Sequence, residues 1–356
     1  MINGNPDIKA PRLLRFSVGY ERGRGAGRWL AESLNRAALG APEASASVEF
    51  SLDPDRESKA LEGPLMGRGA RSLAAEFGAD LAGAQGLALM EHGLALTARF
   101  MAADAEDSAL RLLKPAAGGK VKEPALGPME AVMVLEARPG AVIYYGRRRD
   151  LAPERFATML IKGEGTDMLE RHPAESGQVF LAPAGMPYAL GRGVMAFTVS
   201  LEAAEPKEGK AAGLISSPVL ASRLFVKGLG FVEGMNAVTW LWAAGPLAAA
   251  RLDLRAEWED EWKGEGARPG FILLTGLFGR GLLTAAGETE TMERGKTVLV
   301  SAGCRSFRVN PAPEGAAIIK TWLADREAEV MAPLLKSGLT RREIEGLSGP
   351  FGRGAK

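Results

Sequence analysis

The chain has 356 residues, 46% of them apolar, and its 44 Lys and Arg stand against 43 Asp and Glu. So even a balance gives no basic field for nucleic acid or for an anionic membrane surface. A chain of 356 residues is also too long for one ordinary core, so two domains are expected.

The 45 glycines and 21 prolines suit a turn-rich β protein better than a helical bundle. The single cysteine, Cys304, excludes an intramolecular disulfide and fits a reducing compartment. Met1 to Arg12 is polar, is broken by Pro6 and Pro11, and has no apolar signal core. The most apolar run, Ala237 to Ala250, is interrupted by Gly245-Pro246 and is too short to span a bilayer. A soluble, cytoplasmic protein without nucleic-acid or membrane partners is expected.

In chain order, Arg12 to Tyr20 reads as a strand, followed by Gly23-Arg24-Gly25-Ala26-Gly27 and the helical Arg28 to Leu34. No Gly-Lys-Ser/Thr follows, so a turn and helix cap is favoured over a phosphate loop. Val48 to Leu52 alternates like a strand, and Ser72 to Phe77 is amphipathic. Leu87 to Met101 is a long apolar stretch containing His92, which reads as a structural or surface residue. Leu110 to Leu113, Glu130 to Glu136 and Ala141 to Tyr145 are strands, the last two joined by a Pro139-Gly140 turn. Arg147-Arg148-Arg149-Asp150 reads as a solvated approach to a helix over Pro153 to Leu160.

Next comes Gly177-Gln178-Val179-Phe180-Leu181-Ala182-Pro183-Ala184-Gly185-Met186-Pro187-Tyr188. A chain leaves a turn on glycine, runs as a short apolar strand, bends at Pro-x-Gly, and starts a strand whose first side chain points inward. In cupin barrels this spacing ends in a metal-binding histidine; here it ends in Tyr188. The spacing recurs, weakened, from Gly295 to Ser306, with Ser301 at the proline position. Two copies predict two barrels of one kind. Between them, Glu202 to Gly213 has the charged, Pro/Gly-punctuated composition of a linker. In the second half Arg251 to Leu254 alternates, Phe271 to Leu274 is a buried strand, Gly279-Arg280-Gly281 is read as closing a hairpin, and Ala317 to Trp322 is a last strand. Two short helices follow, the second with a capping box of Thr340 and Glu343.

With both barrels placed, the chain resembles the type I (cupin) mannose-6-phosphate isomerase family in its short bacterial two-cupin form, from about Arg12 to Leu323. The best local match runs from Glu130 to Gly193, through "EAVMVLEARPGAVIYYG" and "ESGQVFLAPAGMPYALGRG"; "EGPLMGR" and "GETETMERGKTVLVSAG" add weaker support. The resemblance implies a mainly β fold of two cupin (jelly-roll) barrels, a helical insertion in the first, and short helices at the C-terminus. The expected division is an N-terminal cupin domain over residues 1–205, with its insertion at about 151–171, a linker over 206–230, a C-terminal cupin-like barrel over 231–325, and a helical tail over 326–356.

The family holds a catalytic zinc with a Gln and a His from a Gln-x-His-Pro turn, a Glu, and a late His. Here that turn aligns with Leu112-Leu113-Lys114-Pro115, the Glu is kept as Glu130, and the late His is Tyr188. His92 and His172 match no ligand position, and His172 reads as a surface turn residue. The expectation is therefore a mannose-6-phosphate isomerase-like protein of carbohydrate metabolism without the family zinc, binding a sugar or sugar phosphate without catalysis. An unpaired Glu130 in the vacated pocket would be costly, so Lys114 is expected to supply the missing cation, with Tyr188 capping the pair. The competing readings are an active aldose–ketose isomerase, with Glu130 as base and Lys114 as electrophile, and a structural protein whose barrels are filled by side chains.

Overall fold

The structure is a computed structural model that describes residues 9–22, 26–34, 36, 44–108, 110–113, 128–162, 165–203 and 225–351. The N-terminal half contributes β1 (Leu13–Arg15), β2 (Gly19–Arg22), α1 (Gly27–Ser33), β3 (Ala44–Ser51), α2 (Ala70–Phe77), α3 (Ala79–Glu91) and β4 (Leu94–Ala103). It continues with β5 (Met129–Ala137), β6 (Val142–Arg147), α4 (Pro153–Ile161), β7 (Leu169–Pro173), β8 (Val179–Pro183), β9 (Tyr188–Leu190) and β10 (Val194–Ala203). The C-terminal half contributes β11 (Phe225–Val226), β12 (Leu229–Glu233), β13 (Asn236–Ala244), β14 (Leu247–Leu254), β15 (Trp258–Glu261) and β16 (Ile272–Ala285). β17 (Glu288–Glu293), β18 (Thr297–Val300), β19 (Ser306–Leu323), α5 (Ala332–Lys336) and α6 (Arg341–Gly346) complete it.

The protein is mainly β and its sheets are antiparallel. One sheet runs β11-β8-β5-β10-β4-β3-β2, and a small one runs β7-β6-β9. The third runs β1-β18-β16-β19-β14-β13-β12, with β15 on β19 and β17 on β16. These pairings are open paths among the described residues. In the N-terminal half the seven-stranded and three-stranded sheets meet through packing: Val132, Ile143, Tyr145, Phe180, Tyr188 and Val194 share one buried cluster. The helix α4 lies in sequence between β6 and β7 of the small sheet.

The central strands β4, β5, β8 and β10 of the larger N-terminal sheet are buried on both faces over most of their length, so their sequences run largely hydrophobic. Met129, Ala131 and Met133 of β5, with Met195, Phe197 and Val199 of β10, face a core shared with the C-terminal half. There Phe50 of β3 meets Phe271 with ring centroids 5.6 Å apart. The alternate residues, Val132 and Val134 of β5 and Phe180 and Ala182 of β8, face the small sheet. On that inner face the only interruptions of hydrophobicity fall at one end, and they make the site described below.

Three local readings change. Arg12 to Tyr20 is two strands, not one: β1 pairs β18 in the C-terminal sheet, whereas β2 pairs β3. Gly279-Arg280-Gly281 does not close a hairpin but lies inside β16, whose turn to β17 is at Ala286-Gly287. Gly279 is required there because it adopts φ +65° and a Cβ would stand 1.9 Å from the Gly315 carbonyl oxygen of β19. His172 sits within β7 opposite Ile143, half-buried, rather than in a turn. The repeated spacing does take the same form twice. Gly177 (φ +86°) and Gly295 (φ +78°) each lead into a short strand, β8 and β18, and β9 and β19 then begin at Tyr188 and Ser306.

Candidate functional site

On β4, β5 and β10 the inner face turns polar at one end. Thr97 pairs Ser200, which pairs Glu130; one row along, Arg99 pairs Thr198, which pairs Val132. Paired residues share a face and same-face diagonals come within several ångströms, so the register alone gathers Thr97, Arg99, Glu130, Thr198, Ser200 and Glu202. Glu130 is fully buried and Arg99 is 1% exposed.

Arg111 completes the group. It forms an isolated bridge to β9, its N–H donating to the Tyr188 carbonyl at 2.8 Å and its carbonyl accepting from the Tyr188 N–H at 3.0 Å. Its Nε donates to Glu130 Oε2 at 3.1 Å and its Nη2 to Glu202 Oε1 at 3.4 Å. Arg99 Nη2 reaches the same Glu202 oxygen at 2.5 Å and Ser200 Oγ at 3.1 Å. Glu21 of β2 lies 3.5 Å from Arg99 Nη1 and 3.7 Å from Arg111 Nη1, and takes Arg56 Nη1 at 2.6 Å on its outer side. Two guanidiniums thus stand between three carboxylates.

The electrostatics follow from that alternation. Burial works to lower the Arg111 pKa, but Glu130, Tyr188, Glu202 and Glu21 outweigh it and raise it, so the guanidinium stays charged. Burial pushes Glu202 up, yet Arg99 and Arg111 together bring it down to about 2. The Tyr188 phenol is raised well above its usual range, first by burial and then by the Glu130 carboxylate, so it is neutral at any ordinary pH. Its hydroxyl makes a long contact of 4.0 Å to Met101 Sδ.

Four buried atoms of this group have no hydrogen bond among the described residues: Glu130 Oε1, Arg99 Nε and Nη1, and Thr198 Oγ1. They form one acceptor and three donors on three adjacent strands, although Arg99 Nη1 keeps its ion-pair distance to Glu21. Buried polar atoms left this way carry a large desolvation cost and are able to hold a polar ligand group. Next to them the inner face is filled by aromatics: Phe180 packs edge-on to Tyr188 at 5.4 Å and against Tyr145 at 5.0 Å.

Of the residues singled out from sequence, the structure brings Glu130 and Tyr188 together; Lys114 lies outside the described residues. The cation on Glu130 is Arg111, three positions earlier. Sequence reasoning missed it by seeking the cation in the turn aligned with Leu112-Leu113-Lys114-Pro115, whereas the described pairing here is the bridge at Arg111, with the Leu113 carbonyl accepting from Gly185 N–H at 3.0 Å. Arg99 was hidden in an apolar run and Glu202 in a stretch of linker-like composition, although Glu202 belongs to β10. An arginine in a ten-residue strand buried throughout was the available signal.

Elsewhere, His92 is exposed and its Nδ1 lies 2.6 Å from the Ala88 carbonyl oxygen. Arg148 is engaged by Asp150, with Nε donating to Oδ1 at 2.9 Å. Among the described residues no group of three or more His, Cys, Asp and Glu side chains is arranged to hold a metal ion. No described helix is long and apolar enough to cross a membrane.

No protein-family model matches the chain, and no curated protein matches it in sequence. Solved structures do. The crystal structure of mannose 6-phosphate isomerase from Bacillus subtilis is 15% identical, covers 87% of this chain and 99% of its own, and superposes with a TM-score of 0.67. A variant of phosphomannose isomerase from Salmonella typhimurium is 12% identical, covers 87% of this chain and 99% of its own, and gives a TM-score of 0.63. Over most of its length this chain has the cupin-like fold of the phosphomannose isomerases.

Proposed function

We propose that this protein uses the phosphomannose isomerase fold without the isomerase's metal, and binds a sugar or sugar phosphate at the Glu130 end of the first inner face without converting it. The observation that carries the reading is the Arg111 guanidinium 3.1 Å from Glu130 Oε2. A guanidinium has no lone pair to give a metal and is permanently charged, so beside the single retained carboxylate it opposes a dication. Arg99, Arg111 and Tyr188 around Glu130 do not fit a zinc ligand set, and the cation a buried carboxylate requires is already supplied.

The ligand class follows from the atoms left over. One acceptor, Glu130 Oε1, and the donors on Arg99 and Thr198 have no hydrogen bond among the described residues. A hydroxyl both donates and accepts, so adjacent hydroxyls of a sugar satisfy such a set. A second reading, that this face is filled and binds nothing, is favoured by the close packing of Tyr145, Phe180 and Tyr188.

Elemental analysis of the purified protein, a mannose 6-phosphate turnover assay and a ligand-dependent melt test both readings together. The expected result is zinc far below about one per chain, no chelator-sensitive turnover, and a rise in Tm with mannose or mannose 6-phosphate. Stoichiometric zinc with chelator-sensitive turnover overturns the proposal, and a Tm unmoved by either sugar gives the site to the filled reading.

A further inference from the structure

A cavity of about 780 Å³ opens at the end of the inner face opposite Glu130. It is bounded by Asp104–Asp107 after β4, by the β5–β6 turn from Arg138 to Ala141, and by Arg192-Gly193 before β10, with Tyr144 and Arg171 on its wall. Glu130 is at the start of β5 and Arg138 just past its end, so the two places are roughly 25 Å apart along a strand.

Three carboxylates and three guanidiniums line this cavity, but they are not equally engaged. Asp104 is paired with Arg138. Asp107 accepts the Arg192 backbone N–H at 2.9 Å and Thr166 Oγ1 at 3.4 Å. It also acts on the Tyr144 phenol, whose pKa is raised by burial and then by a hydrogen bond with Asp107. Glu106 has a partner as well. Arg171 lies over the Tyr144 ring, 5.8 Å from its centroid, and is paired with no carboxylate among the described residues; nor is Arg192. Arg171 and Arg192 are therefore the two guanidiniums of this lining, among the described residues, that are left to meet an anion, although the formal count is even.

We propose that this cavity is an anion site that takes the phosphate of a phosphomonoester, held by Arg171 and Arg192, with the organic part of the ester against Tyr144. Two guanidinium forks match a dianion with three terminal oxygens better than a single carboxylate, and they grip it by paired charge-assisted hydrogen bonds. The half-exposed Tyr144 ring supplies an apolar face beside them. The site is separate from the Glu130 group and does not depend on what binds there.

Calorimetric titration of the full chain with inorganic phosphate and with phenyl phosphate at low salt tests this. Both are expected to bind, phenyl phosphate about tenfold more tightly through the ring, and both more weakly as salt is added. The double change Arg171→Gln with Arg192→Gln, at two exposed positions, is expected to weaken both by about 100-fold. Tyr144→Ala should remove only the advantage of phenyl phosphate, and Glu130→Gln should change neither. Phosphate binding that survives the double change, or that is absent at millimolar phosphate, overturns the inference. Binding abolished by Glu130→Gln would move the phosphate to the other end, leaving the sugar proposal standing and this one refuted.

Discussion

Each half of the molecule buries a cluster of acids and bases, and the two are built to different ends. In the C-terminal half, Asp260 of β15 receives Lys320 of β19 and Arg268, the latter at 2.5 Å. Arg268 Nε donates to the Cys304 carbonyl at 3.0 Å, and the Nη2 that meets Asp260 also reaches the Arg305 carbonyl at 3.3 Å. Among the described residues no fully buried side-chain nitrogen or oxygen of these three is left without a hydrogen bond. Burial works to raise the Asp260 pKa, but Lys320 and then Arg268 hold it below the usual carboxylate range. The N-terminal group has three carboxylates to two guanidiniums and leaves four buried polar atoms without a hydrogen bond among the described residues. A saturated cluster pins strands together, whereas an unsaturated one costs stability, a cost that the proposed ligand would offset.

That contrast is most easily broken at Asp260. Asp260→Ala leaves two buried cations without a carboxylate and is expected to cost about 3–5 kcal/mol in a denaturant melt. Because the folded pKa is depressed, this stability is full above the unfolded value near pH 4 and is lost as pH falls through the folded one. The wild-type acid limb should flatten in the variant. A cost under about 1 kcal/mol would place the cluster among exposed pairs and end the distinction.

Arg111→Met is the matching change in the other half, with a smaller expected cost of about 2–3 kcal/mol, because the Arg111 side chain is 18% exposed. Adding Glu130→Gln should recover much of that loss, since no unpaired buried charge then remains. Strict additivity would mean that Arg111 does not compensate Glu130. The same cycle with Lys114→Met tests the sequence expectation directly. Coupling to Glu130 there, and not at Arg111, would return the role to Lys114.

What the sequence made legible and what it did not follows from how local each feature is. The glycine–proline–glycine spacing around β8 is local backbone geometry, since Gly177 and Gly185 both take positive φ, and it correctly started a strand at Tyr188. The capping box at Thr340 and Glu343 is equally local and is present. Glu130 on an inner face came from the resemblance, as the family glutamate kept on a strand in cupin register. Arg111 did not, because its place depends on which residue of a distant segment bridges Tyr188. The split of Arg12 to Tyr20 between two sheets is likewise a matter of partners far away in the chain. Gly279 shows the opposite failure. Glycine-rich composition suggested a turn, while the glycine is there so that two long strands can approach each other. Arg99 and Glu202 were passed over because composition averaged them into their surroundings.

The smallest effect is expected at Tyr188, and it sharpens the comparison by asking whether the phenol belongs to the polar group or to the aromatic packing. Tyr188→Phe keeps the ring against Phe180 and removes only the hydroxyl, whose hydrogen-bond contact is Met101 Sδ at 4.0 Å. At neutral pH the cost should be about 1 kcal/mol, the worth of a modest buried hydrogen bond. At alkaline pH the sign reverses. The folded pKa of Tyr188 is raised by burial and by Glu130, so the stability tied to its neutral form is complete below the unfolded value near 10 and lost as pH rises beyond it. The variant lacks that group and should lose less stability than the wild type above about pH 10, so the two curves should converge or cross. Tyr145, also raised by burial, titrates in both proteins and cancels from the difference. Parallel curves from pH 7 to 11 would mean that the Tyr188 hydroxyl feels neither Glu130 nor its burial, and would place Tyr188 with the packing alone.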